Sequence, residues 1–176
     1  MQLRDPGAQE WKFGFINGPN MSMLGRRSAG VFGPISSIEE LNQQVDAFAE
    51  TVGVSVNHIV SDSEPDILHF IHDTSESVDG YLINPAGLTH FGQATRDALI
   101  DTGKPYVEVH FANLSVWTES VGPGRNLESI FSHTAAGVIE GLRHYGYFAG
   151  ILGLALALDD ESFLGKDARE ASAATA

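Results

Sequence analysis

Short apolar runs alternate with longer stretches of helical spacing along the chain. Lys12–Asn17 (KFGFIN) is apolar and ends in the turn-like Asn17-Gly18-Pro19-Asn20, which predicts a buried first strand. Ile38, Leu41, Val45, Phe48, Ala49 and Val52 then recur at helical spacing. Ser36 stands where an N-cap belongs, with Glu39 completing a capping box, and Gly53 closes the helix. Val54–Val60 alternates as a second strand. Ser63 opens a second helix, with Pro65 in its first turn and Ile67, Leu68 and Ile71 on one face. Gly80–Asn84 (GYLIN) is a third strand, Ala94–Thr102 a helix and Tyr106–His110 (YVEVH) a fourth strand. Gly137–Leu142 is expected as a fifth, feeding a last helix through about Leu158.

Strands joined by helices through short links form a parallel sheet covered on both faces. Right-handed crossovers make this an α/β, flavodoxin-like three-layer sandwich with a five-stranded parallel sheet in the order 2-1-3-4-5. Residues 12–158 are expected to be that domain. Residues 1–11 read as an N-terminal tail, and the charged, alanine-rich residues 159–176 as a flexible C-terminal one. Met21–Pro34 carries Gly25, Gly30, Gly33, Arg26 and Arg27 and reads as a mobile lid.

Composition narrows the function. The length of 176 residues suits one domain with its own core, and 43% apolar against 19% charged residues is ordinary globular usage. Ten Lys and Arg face 23 Asp and Glu, a net charge of -13. That balance argues against nucleic acid and anionic membrane surfaces as partners, since both need clustered cations. With no Cys, disulfides and thiolate chemistry are out. The polar start lacks a signal-like apolar region, and the longest apolar run, Tyr147–Leu158, is too short to span a bilayer. The expected compartment is the cytoplasm.

In such sheets ligands bind beyond the carboxyl ends of the strands. Asn17 and Asn20 follow the first strand; Asn84, Thr89 and His90 the third; Glu108, His110 and Asn113 the fourth. Each has an ordinary structural explanation as a turn or core residue. Their convergence on three strand ends favours a small-molecule site. Glu108-x-His110 is half of a metal pattern, but no further ligand follows at a recognisable spacing, so a metal is not expected.

Three stretches carry a resemblance. Ile16-Asn17-Gly18-Pro19-Asn20-Met21-Ser22-Met23-Leu24-Gly25-Arg26-Arg27 resembles the opening signature of the type II 3-dehydroquinate dehydratases. Ile83-Asn84-Pro85-Ala86-Gly87-Leu88-Thr89-His90, with Arg96-Asp97-Ala98, is similar to the second, and Glu108-Val109-His110 followed by Asn113 to the third. The resemblance runs from about Phe13 to Leu158. It implies the sandwich fold, a trimer that assembles into dodecamers, and loss of water from a cyclic hydroxy-keto acid through an enolate, without cofactor. By position it implies that Asn20 holds a water against the enolate oxygen. Arg27 would be the lid arginine and His110 the general acid, with Glu108 orienting it. Asn84 and His90 would bind substrate, and Asp97 would lie near the trimer interface.

The departures are equally specific. Where the family's lid carries a tyrosine base, this chain has Phe32, which cannot accept a proton. A serine that grips the substrate carboxylate is replaced by Ala112. Two downstream arginines fall on Trp117 and about Val121, with Arg125 as the one cation able to compensate. Together with Phe91 and Phe111 these changes make an aromatic, weakly cationic pocket. A positioned base contributes about 10²–10⁴-fold, so slow turnover of 3-dehydroquinate is expected. The expected function is a cofactor-free lyase on a small carbonyl-bearing acid, with a substrate group, a water or His90 as base. The alternatives are a 3-dehydroquinate dehydratase of reduced activity, a hydrolase or isomerase on a more apolar substrate, and a non-catalytic binder.

Overall fold

The strands are Trp11–Asn17 (β1), Val54–Val60 (β2), Gly80–Asn84 (β3), Tyr106–His110 (β4) and Gly137–Glu140 (β5). They are seen in a computed structural model that describes residues 3–114, 116 and 128–165. They pair in parallel in the order β2-β1-β3-β4-β5, the flavodoxin-like order expected from the sequence. The helices are Ala29–Phe32 (α1), Ile38–Thr51 (α2), Glu64–Thr74 (α3), Gln93–Asp101 (α4) and Tyr145–Asp159 (α5).

The period of two along a strand divides the core into two layers. Phe13, Phe15, Leu82, Val107 and Val109 bury themselves against Leu41 and Val45 of α2 and Tyr147, Ile151 and Leu154 of α5. Ile16, Tyr81, Ile83 and Tyr106 pack against Ile67 and Ile71 of α3 and Ala98 and Leu99 of α4. Every residue of β3 and β4 is buried, because helices cover both faces. Truncating a fully buried Ile71 or Leu82 to alanine costs about 2–5 kcal/mol in such a core.

Register carries the polar strand ends to one edge. Asn17 lies level with Val60 and Asn84, and His110 with Glu140. The turns after β1 and β3 are pressed together: Gly18 N–H donates to the Asn84 carbonyl at 2.9 Å, and a Cβ at Gly18 would collide with the Pro85 carbonyl. Only glycine allows that approach.

Several boundaries differ from expectation. The N-cap of α2 is Ser37, not Ser36: its Oγ accepts from Glu40 N–H at 3.2 Å, while Glu40 returns its carboxylate to Ser36 N–H at 2.8 Å. The box has slid by one residue between two adjacent serines. The segment Met21–Pro34 contains two short helical pieces, Met21–Met23 and α1. β5 stops at Glu140, because Gly141 and Arg143 both take positive φ and turn the chain into α5. The segments flanking the sheet meet each other. Arg4 makes two 2.7 Å bonds to Asp159 and also donates to the carbonyls of Val52, Gly53 and Gln9. Among the described residues no helix is long and apolar enough to cross a membrane.

Candidate active site

A cavity of about 270 Å³ opens over the carboxyl ends of β1, β3 and β4. The β1 turn contributes Pro19, Asn20 and Met21, and the lid Arg27 and Phe32. The segment after β3 contributes Asn84, Ala86, Gly87, Thr89 and His90. The end of β4 contributes His110, Phe111, Ala112 and Leu114.

At the end of β4 the strand period puts Glu108 and His110 on one face. Glu108 is fully buried, with Oε1 2.6 Å from His110 Nε2, and Oε2 accepts from Ser132 Oγ at 2.6 Å. Burial pushes its pKa up. Hydrogen bonds from His110, Ser129 and Ser132, with the imidazole's charge, more than reverse this and hold it below the usual carboxylate value. An ionised carboxylate only accepts, so Nε2 carries a proton and Nδ1 is the nitrogen left for the cavity.

At the end of β3, Asn84 Oδ1 accepts from Ala86 N–H at 3.2 Å and Nδ2 donates to Tyr147 Oη at 2.9 Å. Tyr147 in turn donates to Asn17 Oδ1 at 2.6 Å. Complete burial pushes the Tyr147 phenol far above its ordinary value, so it holds its proton. Further along, His90 Nδ1 lies 3.1 Å from the Glu128 carbonyl.

The lid side is built differently. Asn20 adopts φ 75°, tolerable for asparagine, and its N–H donates to Asp62 Oδ1 at 2.7 Å. Asp62 Oδ2 accepts from Ser22 Oγ at 2.8 Å, so one carboxylate fixes the start of the lid and sits below the usual range. The Arg27 guanidinium lies 3.8 Å above the Phe32 ring, and partial burial lowers its pKa. Phe32 meets Phe111 at 6.0 Å between ring centres. Arg143 Nη2 donates to the Gly30 carbonyl at 2.9 Å and ties α1 to the turn before α5.

Asn20, Arg27, Phe32, Asn84, His90, His110 and Ala112 thus border one cavity, with Glu108 directly behind His110. Asp97 does not: α4 turns it outward, where it pairs with Arg96 at 2.6 Å. Asn113 is also off the wall; it is exposed, and its Oδ1 accepts from Val116 N–H at 3.1 Å. Phe91 is 75% exposed and adds nothing to the aromatic wall. Trp117, Val121 and Arg125 lie outside the described residues. The sequence reading passed over Asp62, Ser129, Ser132, Tyr147 and Leu114. Asp62 follows β2, so the rule that singled out the other strand ends would have found it. Ser132 and Tyr147 carry no such signal.

Fold and cavity together define a flavodoxin-like α/β protein with a polar cavity over the carboxyl ends of its central strands. The family model for class II dehydroquinases matches residues 11–155, and the chain belongs to that family. It is 36% identical over 144 residues to a 3-dehydroquinate dehydratase of Pseudoalteromonas translucida, covering 82% of this chain and 92% of the relative. It is 35% identical over 149 residues to a catabolic 3-dehydroquinase 1 of Aspergillus fumigatus, covering 85% and 95%. Among solved structures, the type II dehydroquinase of Propionibacterium acnes superposes with a TM-score of 0.74 at 27% identity, covering 85% of this chain and 99% of that one.

Proposed function

We propose that the chain is a cofactor-free carbon–oxygen lyase that eliminates water, through an enolate, from a small ring acid bearing a carbonyl. The observation that carries this is the Glu108–His110 pair at 2.6 Å, facing the same cavity as Asn20 and Arg27. An imidazole backed by an ionised carboxylate is a proton donor for a leaving hydroxyl. Asn20 lies where an amide or a water it holds meets developing enolate charge, and Arg27 offers the cation for an anionic substrate.

The names of the relatives support 3-dehydroquinate as the first substrate to try. Phe32 and Ala112 argue for slow turnover of it and for a better substrate that is more apolar, because both put carbon where polar contact would serve a polyhydroxylated acid. The working form in this reading is a homo-oligomer, a trimer or dodecamer in the cytoplasm, with residues 12–158 as the enzyme domain.

The test is ultraviolet absorbance of the enone product, with 3-dehydroquinate and a panel of ring hydroxy-keto acids. Enone formation by the wild type, lost in His110→Ala, is expected. Equal rates in wild type and His110→Ala on every substrate would end the proposal.

A further inference from the structure

We infer that His90 is the general base of this site. The inference rests on the lyase reading above and assigns the proton-abstracting group that it leaves open.

Elimination through an enolate needs one group to take a proton from the carbon beside the carbonyl and another to give one to the leaving hydroxyl. Among the described residues bordering the cavity there is no carboxylate and no phenol; Asn20, Thr89 and Arg27 do not accept protons near neutral pH. Two imidazoles remain, His90 and His110, and their surroundings separate their roles. His110 gives Nε2–H to the buried, ionised Glu108, whose negative charge lies directly against that ring. His90 is pinned by the backbone carbonyl of Glu128, at 3.1 Å from Nδ1. A carbonyl accepts and never donates, so Nδ1 carries the hydrogen. Nε2 is then the nitrogen that carries the lone pair, and among the described residues no carboxylate is bonded to the ring. The ring against the carboxylate is assigned the donor's role and the ring against the carbonyl the acceptor's. Tyr147 could not substitute, because its buried phenol keeps its proton and is spent on Asn17 and Asn84.

The step balances as follows. His90 Nε2 takes the proton, and the C–H electron pair forms the carbon–carbon double bond of the enolate, whose oxygen faces the Asn20 side. Collapse of the enolate breaks the bond to the leaving oxygen, which departs as water with a proton from His110. His90 returns its proton to solvent and His110 is reprotonated, so no oxidant or reductant is needed.

Proton abstraction and elimination can be read separately by proton NMR of 3-dehydroquinate in heavy water, as deuterium wash-in beside the carbonyl and as enone formation. His90→Gln should lose wash-in and enone alike, by about a hundredfold or more. His110→Gln should keep wash-in and lose enone. Wild-type wash-in in His90→Gln, with the fold intact by circular dichroism, would overturn the inference. If the wild type leaves 3-dehydroquinate untouched, that substrate fails, and the base is judged by nitrogen-15 NMR of the His90 ring. Hydrogen on Nδ1 then supports the inference, and hydrogen on Nε2 overturns it whatever the substrate proves to be.

Discussion

Glu108 and His110, at the end of β4, are 0% and 4% exposed and share one 2.6 Å bond, with Ser132 closing the second carboxylate oxygen. Across the cavity the lid presents Arg27 over the face of Phe32, a ring contact to Phe111, a bond from Arg143 to the Gly30 carbonyl and, at its start, the bonds to Asp62. The first region rests on strands buried on both faces, and both oxygens of its carboxylate find partners within the protein. The second rests on two short helical pieces, which cannot hold themselves without tertiary contacts. In the proposed reaction the acid lies in the buried half, and the lid, which carries neither carboxylate nor phenol, leaves the base to the rest of the rim.

The largest effect is expected from breaking the rigid half at its charge. Glu108→Gln keeps the shape and removes the anion. Its amide group presents hydrogens to His110 or Ser132, both of which donate, at a cost of about 1–3 kcal/mol. Turnover should fall by about 10²–10⁴-fold, since a neutral amide does not compensate the charged ring. Unchanged turnover would mean that the pair only packs. The pH dependence follows from the same carboxyl. Its folded pKa lies below its unfolded one, so its stabilisation is complete above the unfolded value and is lost as the pH falls through the folded value. Acidification below the ordinary carboxylate range should therefore lower the melting temperature of the wild type more than that of Glu108→Gln.

Tyr147→Phe tests whether the same rigidity extends under β1 and β3. It removes the hydroxyl between Asn17 Oδ1 and Asn84 Nδ2, both buried. Denaturant unfolding should show a loss of about 1–3 kcal/mol. A loss confined to activity would shift the residue from support to chemistry.

Much of this contrast was legible in the sequence, and for different reasons on the two sides. Glu108-x-His110 and Asn84 could be placed because strand period and the carboxyl-end rule together fix both face and end. Asn20 followed from the Asn-Gly-Pro-Asn turn. Tyr147 was hidden because its one polar atom lies inside an apolar run, where the sequence speaks only of burial. Asp97 was legible only as a motif position, which does not say that α4 turns its side chain to the surface. The two short helical pieces of the lid span three and four residues, too few for any periodicity to register. Ser36 and Ser37 were indistinguishable as caps until the backbone angle of Ser37 settled which one turned out of the helix.

Giving the lid the oxygen it lacks sharpens the comparison at smaller scale. In a His90→Gln background, Phe32→Tyr places a phenol beneath Arg27, whose charge favours the phenolate. Recovery of enone formation by about tenfold is expected, well short of a fully evolved base. No recovery would show that the lid does not bring that ring to the substrate carbon.

The smallest effect belongs to the contact that holds the lid wall itself. Arg27→Lys keeps the charge but replaces a planar guanidinium, which stacks on the Phe32 ring at 3.8 Å, with a compact, strongly hydrated ammonium. The stacking is worth about 0.5–1 kcal/mol at a partly exposed site. That is too little to move global unfolding much, because Met21, Leu24 and Phe32 anchor the lid in the core layer of α2 and α5 whichever cation stands at position 27. It bears on local opening instead, since two short helical pieces open at a lower cost than the whole fold. Hydrogen exchange at the amides of Val31, Phe32 and Gly33, which donate to Ser28 and Ala29, should rise a few-fold in Arg27→Lys. Exchange in β4 should stay as it was. Equal acceleration in both places would mean that the two halves open as one unit, and the contrast between them would be only a matter of exposure.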